Sequence, residues 1–480
     1  MDNATRDRLF QAVWARFSEQ NQIANISCED VELFAIKKGL TVRKIKEVQF
    51  GFSRTINGIL LETSTGKALY PRQRVENIDI YNRNKQACQN YEDFWRAVDW
   101  FFPPYIPRGK MNDAISLTGI SILEHSSKNK KYLQERFEYS LPSLYDFSNI
   151  VPITVQTLSE SQVIGKHLPI ITESIIAFYS GMKVVAIGAL IPIIEDILGS
   201  MIGEIGTKST LRNKVDKCID QACERVVKLH IEDADWIPEE FVEKPVLKVM
   251  NERIFILETM RHWLKNSFYK NTKKYDNHSG FNRHFFAHAG SDVWQNQSNF
   301  FRAMGLIQAL AFIECFAVEG STVSIFAPNP DERSESFRNE LFACLNMQVF
   351  KMQILSKMQM ENNLPFNPTS SDDGWLRRAS ILSDGMSSEI IARLRDKEWQ
   401  CHSFTDPIKN GEYITVNAKK GSRDIKIALL YSCASDNELY RELDKSCDYI
   451  LYLGSYYQQE SFARGVKTTV LPLNAWITPE

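Results

Sequence analysis

The stretch His278–His288, reading HSGFNRHFFAH, holds three of the chain's eight histidines, with Arg283 five positions before His288. Imidazole, with an ordinary pKa near 6.5, can both accept and donate a proton at neutral pH. A guanidinium is a permanent cationic fork that matches phosphate oxygens. Together they suit cleavage of RNA by its own 2′-hydroxyl. A neutral histidine takes the hydroxyl proton, a protonated one supplies the leaving 5′-oxygen, and arginine stabilises the charge that builds up between them. Proton transfer of this kind contributes roughly 10²–10⁴-fold, and preorganised charge contributes further. The chemistry calls for no metal or cofactor. The segment has no HExxH and no Asp/His cluster with metal-ligand spacing beside it.

Two features must bring these groups together. Residues five apart on an uninterrupted helix stand about 140° apart, so Arg283 and His288 do not converge unaided. A twofold homodimer that sets the same short helix from each protomer against its mate would bring two arginines and two histidines into one cleft. His284 and His288, four apart, share a helix face. The surroundings are cationic: residues 261–290 carry Arg261, Lys265, Lys270, Lys273, Lys274 and Arg283 against the single acid Asp276. That balance could hold a phosphate backbone, with Lys270, Lys273 and Lys274 as substrate contacts. Trp263, Phe268, Tyr269 and Tyr275 could stack on unpaired bases. The plainer alternative is a bundle turn with solvated lysines and core phenylalanines.

With 480 residues, the chain exceeds a single hydrophobic core and implies about three domains. Apolar residues at 44% and charged residues at 24% are those of a globular protein. A net charge of −2 excludes a uniformly basic nucleic-acid coat. Nine scattered cysteines without a CxxC pair read as reduced thiols, and the opening MDNATRDRLF lacks the pattern of a signal peptide, so a cytoplasmic location is expected. Ser174–Ile194 is long enough for a membrane span. Lys183 inside it, with Glu173 before and Glu195-Asp196 after, favours a buried bundle helix and no membrane.

Residues 1–160 read as an α+β accessory or sensor domain, with a helix over Asp7–Glu19, strands at Val48–Phe52 and Gly58–Glu62, and a buried aromatic corner around Trp100–Pro107. Residues 161–327 have helical periodicity: Glu173–Ile202 as one helix or a tight pair, Lys208–Leu229, Pro245–Tyr269, Phe281–His288 and Gln297–Phe316. A Met-rich helix over Glu335–Met360 and a linker over Asn363–Gly374 occupy 328–374. From 375 to 480, strands at Ile425–Tyr431, Tyr449–Leu453 and Thr468–Leu473 alternate with helices near Ser435–Lys445 and Tyr457–Arg464, as in a small α/β domain on a parallel sheet. The expected fold class is multidomain α+β around a central all-α bundle.

Residues 165–320 resemble the HEPN superfamily of helical-bundle ribonucleases. The likeness rests on the RxxxxH motif Arg283–His288 with His284 at its polar second position and Asn282 before it. It rests also on the apolar helix bearing Tyr179, Ala186, Ala189, Leu190 and Pro192 and leading to Glu195-Asp196, and on the apolar helix Asn299–Phe316. The resemblance implies His288 as acid/base, Arg283 as transition-state cation, His284 and Asn282 as substrate-placing groups, and Glu195, with Asp196 as the alternative, as the carboxylate that orients them. Many members have glycine directly after the histidine; here Ala289 intervenes before Gly290. The resemblance further implies a toxin or antiphage effector of abortive infection, with RNA as substrate and an antitoxin or phage-derived trigger as partner. A non-catalytic scaffold for dimerisation and RNA or nucleotide binding is the alternative, and chemistry at Asp424, Asp436, Glu438, Asp444 or Asp448 in the last domain is a third reading.

Overall fold

The structure is a computed structural model, and the residues described are 2–18, 23–202, 211–287, 293–361, 375–408, 413–431, 437–453 and 465–480. The protein is mixed α+β and dominated by helices. The chain divides into two compact units, one of residues 1–174, 187–294 and 298–338, the other of 175–186, 295–297 and 339–480.

In the first unit, β1 (Val42–Phe50), β2 (Ile56–Thr63) and β3 (Lys67–Pro71) form an antiparallel meander. Side chains alternate between sheet faces, and both faces here are covered. Ile59, Leu61 and Tyr70 pack against Phe10, Val13 and Trp14 of the first helix, Asn3–Ser18, and Val31 and Ala35 of the second, Cys28–Lys37. Leu60 and Leu69 face Ile231, Ile237, Phe241 and Val246. The sheet thus shares a core with segments that follow the Leu211–His230 helix, and Trp236 O accepts from Leu69 N of β3 at 2.8 Å. The sequence pattern missed β3 because it is short and has no polar alternation.

Helices Lys183–Ile202, Leu211–His230, Glu252–Trp263 and Ser298–Ala317 supply the bundle elements. Of the two readings of Glu173–Ile202, the tight pair is the one found: Leu168–Tyr179 and Lys183–Ile202, separated at Gly181, whose φ of +87° favours glycine. Lys183 therefore begins a helix instead of lying mid-span. The Pro245–Tyr269 helix is likewise divided, into Lys244–Met250 and Glu252–Trp263, with Asn251 capping the second through its side chain.

Ser298–Ala317 is buried on nearly every side and carries its own polar brackets. Arg302 pairs with Glu138 at 3.0 Å, Gln308 donates to Asn149, and Glu314 accepts from Gln162 N at 3.0 Å and from Ser161 Oγ. Lys183–Met201 and Ser298–Ala317 are long and apolar enough to cross a membrane, with 50% and 89% of their apolar windows buried in the protein. The aromatic corner is interior, since Trp100, Phe101 and Phe102 pack on Trp263 and Phe255.

The second unit holds a five-stranded sheet in the order β4 (Gln400–His402), β5 (Tyr413–Lys420), β6 (Arg423–Leu430), β7 (Tyr449–Tyr452), β8 (Thr469–Pro472). The last three strands are parallel, and the Asn437–Asp444 helix makes the crossover from β6 to β7. The three strands expected from the sequence, β6 to β8, are thus parallel as expected, while β4 and β5, which were not foreseen, add antiparallel pairs and make the sheet mixed. The expected linker over Asn363–Gly374 and the helix over Tyr457–Arg464 lie outside the described residues.

Candidate functional site

The motif occupies a five-residue helix, Arg283–Ala287. A helix this short cannot hold itself together, and Asn282 does much of the work. Its Oδ1 accepts from His284 N at 2.9 Å and Phe285 N at 3.4 Å, capping the exposed amides. Its Nδ2 donates to Ser267 O at 2.8 Å and Lys270 O at 2.9 Å, tying the motif to the end of the preceding helical segment. Gly280 makes the entering turn with φ +62°, and a Cβ there would meet Val293 at 2.8 Å. Asn282, expected to touch substrate, is 2% exposed and has both ends of its amide committed to backbone. It positions the motif.

Arg283 Nε forms an ion pair with Glu195, each side chain about one-third exposed. Glu195 lies seven residues beyond Gly188, about two helical turns, so both present the same face of the Lys183–Ile202 helix. Phe286, three residues after Arg283, sets its ring 3.9 Å from the position of a Cβ on Gly188. Two contacts therefore align the motif helix against this face, Phe286 near Gly188 and Arg283 at Glu195. The neighbouring Asp196 turns elsewhere, to Lys166 at 2.6 Å and His167 at 2.8 Å. The Lys166 ammonium and then the His167 ring hold its carboxyl below the usual carboxylate range. Of the two candidate carboxylates, Glu195 is the one beside the arginine.

His284 is partly buried beside Arg283, and His288 lies outside the described residues, as does the Ala289-Gly290 turn. Lys273 and Lys274 are exposed, whereas Lys270 is paired with Asp276 at 2.7 Å. The cationic balance of the 261–290 window is largely spent on acids from outside it. Arg261 binds Asp216, Asp220 and Glu258, and Lys265 binds Asp216. The proposed base-stacking aromatics need correction on the same ground: Trp263, Phe268 and Tyr269 are buried, and Tyr275 packs edge-on against Phe285. They build the floor under the motif.

Behind that floor is a polar cluster which no sequence pattern announced. Asp99, fully buried and at φ +57°, accepts from Ser267 Oγ and from Ser279 Oγ at 3.2 Å. Its backbone oxygen accepts from Trp263 Nε1 at 2.9 Å. Burial pushes its carboxyl up to about 6, against the pull of its hydroxyl partners and the nearby Arg302. Since Ser267 also offers its carbonyl to Asn282, the aspartate braces the motif helix from one residue away. Asn299 completes the frame by donating to Ser279 O at 2.8 Å. The signal was the chain's only Val-Asp-Trp-Phe-Phe run, which reads as core, with an unexplained acid inside it.

Histidines outside the motif acquire partners the sequence did not show: His167 with Asp196, His230 with Asn251, His262 with Asn266. His278 stands 3.8 Å from both Glu135 and Glu138. In the second unit, Asp444 and Asp448 spend their carboxylates on backbone amides of Thr468 and Lys426. Asp436 and the Glu438 side chain lie outside the described residues. Among the described residues no three His, Cys, Asp or Glu side chains are placed to share a metal ion. No protein-family model, curated protein or solved structure matches the chain.

Proposed function

We propose that the chain is a metal-independent endoribonuclease that cuts RNA through its own 2′-hydroxyl, with Arg283 as the transition-state cation, His288 as acid/base and His284 assisting placement. The observation that carries this reading is the Arg283–Glu195 pair at the rim of a short, heavily braced helix. A carboxylate on the far side of a guanidinium fixes its direction while leaving other N–H groups for a phosphate. In the HEPN-like RxxxxH motif an imidazole, His288, follows five positions after Arg283 in the sequence. On this reading the enzyme is a cytoplasmic homodimer, acting as a toxin or antiphage effector under the control of an antitoxin or a phage-derived trigger.

Purified protein incubated with total RNA in excess EDTA tests it. Cleavage that survives the chelator and disappears in both Arg283→Ala and His288→Ala is the expected result. RNA that stays intact with wild type, yet binds equally to wild type and both variants, would instead assign the same surface to a non-catalytic scaffold.

A further inference from the structure

On the sheet side of the first unit, two cavities share one wall. The wall is Phe52, at the tip of the β1–β2 hairpin, where Gly51 and Arg54 both have positive φ. One cavity, of about 320 Å³, is lined by the rings of Tyr91, Phe102 and Phe255. Its neighbour, of about 220 Å³, is lined by Arg54, His230, Glu232 and Arg253. Together they fall within the ~300–1,000 Å³ typical of small-ligand sites.

The smaller cavity is rich in donors without protein acceptors. Arg253 lies between two rings, its Cζ 5.3 Å from Phe52 and 5.7 Å from Phe316. Among the described residues no carboxylate pairs with it, and none pairs with Arg54. Burial depresses its charged form, so the site holds a partly desolvated cation without its counter-ion. His230 adds a third donor. Asn251 Oδ1 accepts from Arg253 N at 3.1 Å, which leaves Nδ2 to donate to His230 Nδ1 at 3.2 Å. The imidazole is thereby fixed as the Nε2–H tautomer, and burial keeps it neutral by lowering its pKa to about 4. Glu232 is the one acid among the described residues lining this cavity, a ready acceptor for hydroxyl groups.

A ring-lined cavity, an adjoining niche that lacks an anion, and a carboxylate suited to hydroxyls describe one chemical class. We infer that this paired cavity binds a ribonucleotide, its base between Phe52 and Phe102, its phosphate on Arg253 and the His230 Nε2–H, and its sugar hydroxyls toward Glu232. The site shares no residue with the Arg283 cluster and stands independently of the nuclease reading.

Titration calorimetry of the full chain with AMP, GMP, CMP and UMP, and with the matching nucleosides and inorganic phosphate, tests it. At least one monophosphate should bind, its nucleoside and phosphate alone each about tenfold or more weaker. Arg253→Gln should weaken that binding about tenfold to a hundredfold, the equivalent of one charge-assisted hydrogen bond. Because Arg253 is half-buried, Phe52→Ala serves as the second variant: the Phe52 ring is 44% exposed, its loss should not disturb folding, and it should weaken binding about fivefold or more. Absence of binding by all four monophosphates, or affinity unchanged in Phe52→Ala and in any folded Arg253→Gln, overturns the inference.

Discussion

Replacing Asn282 with alanine isolates the device that holds the motif. The substitution removes a helix cap, at about 1 kcal/mol, and strips a donor from each of two carbonyls, Ser267 O and Lys270 O, at about 1 kcal/mol apiece. The expected loss is about 3 kcal/mol. Asn282→Ser keeps a capping oxygen and should lose only about 2 kcal/mol, since a serine hydroxyl cannot reach both carbonyls. Urea unfolding followed by tryptophan fluorescence reads the effect, because Trp100 and Trp263 lie in the same core. Ribonuclease activity of the folded fraction should fall with it. If Asn282→Ala unfolds within about 0.5 kcal/mol of wild type, the brace is idle and the positioning argument fails.

Glu195→Gln should lower kcat roughly tenfold to a hundredfold through loss of arginine alignment, while costing at most about 1 kcal/mol of stability for a pair this exposed; equal activity in the variant would remove Glu195 from the site. Arg302→Met leaves Glu138 without its buried cation and should destabilise by roughly 3–5 kcal/mol, with Glu138→Gln restoring part of that in the double variant; additive losses would mean the two do not interact. Two buried groups oppose each other in acid. Asp99, raised to about 6, holds a proton in the native state that the unfolded chain has released, so its contribution falls as pH rises through roughly 4 to 6. His230, lowered to about 4, refuses a proton that the unfolded chain takes up, so its contribution grows as pH rises through roughly 4 to 6.5. Unfolding midpoints at pH 4.5, 5.5 and 6.5 should therefore tilt in opposite directions, relative to wild type, in Asp99→Asn and His230→Gln; parallel profiles in all three proteins would contradict both assignments.

Long periodic elements were legible in the sequence. The Leu211–His230 and Ser298–Ala317 helices, and strands β6 to β8, fall within a few residues of their expected ranges because apolar spacing repeats over several turns or a whole strand. Breaks were harder to read: the sequence leaves the one at Gly181 open between one helix and a pair and misses the one at Asn251, since a single residue decides each against a continuing apolar pattern. The proximity of Glu195 to Arg283 followed from no spacing rule; it needs two helices 88 positions apart to face each other. The cationic window misled for the complementary reason. Charge counted along the chain ignores Asp216, Asp220 and Glu258, which the fold brings across to Arg261 and Lys265. The aromatics of the same window went to the core because an edge-to-face cluster excludes more water than an exposed platform would.

The central claim, attack by the neighbouring 2′-hydroxyl under Arg283 and His288, is tested most directly by the ends and identity of the substrate cut. An RNA cleaved by the wild-type protein, compared with the same sequence 2′-O-methylated at the scissile nucleotide, should yield 2′,3′-cyclic phosphate ends by mass spectrometry, with the methylated strand left whole. Cleavage of the methylated strand at the same position and rate would contradict the account.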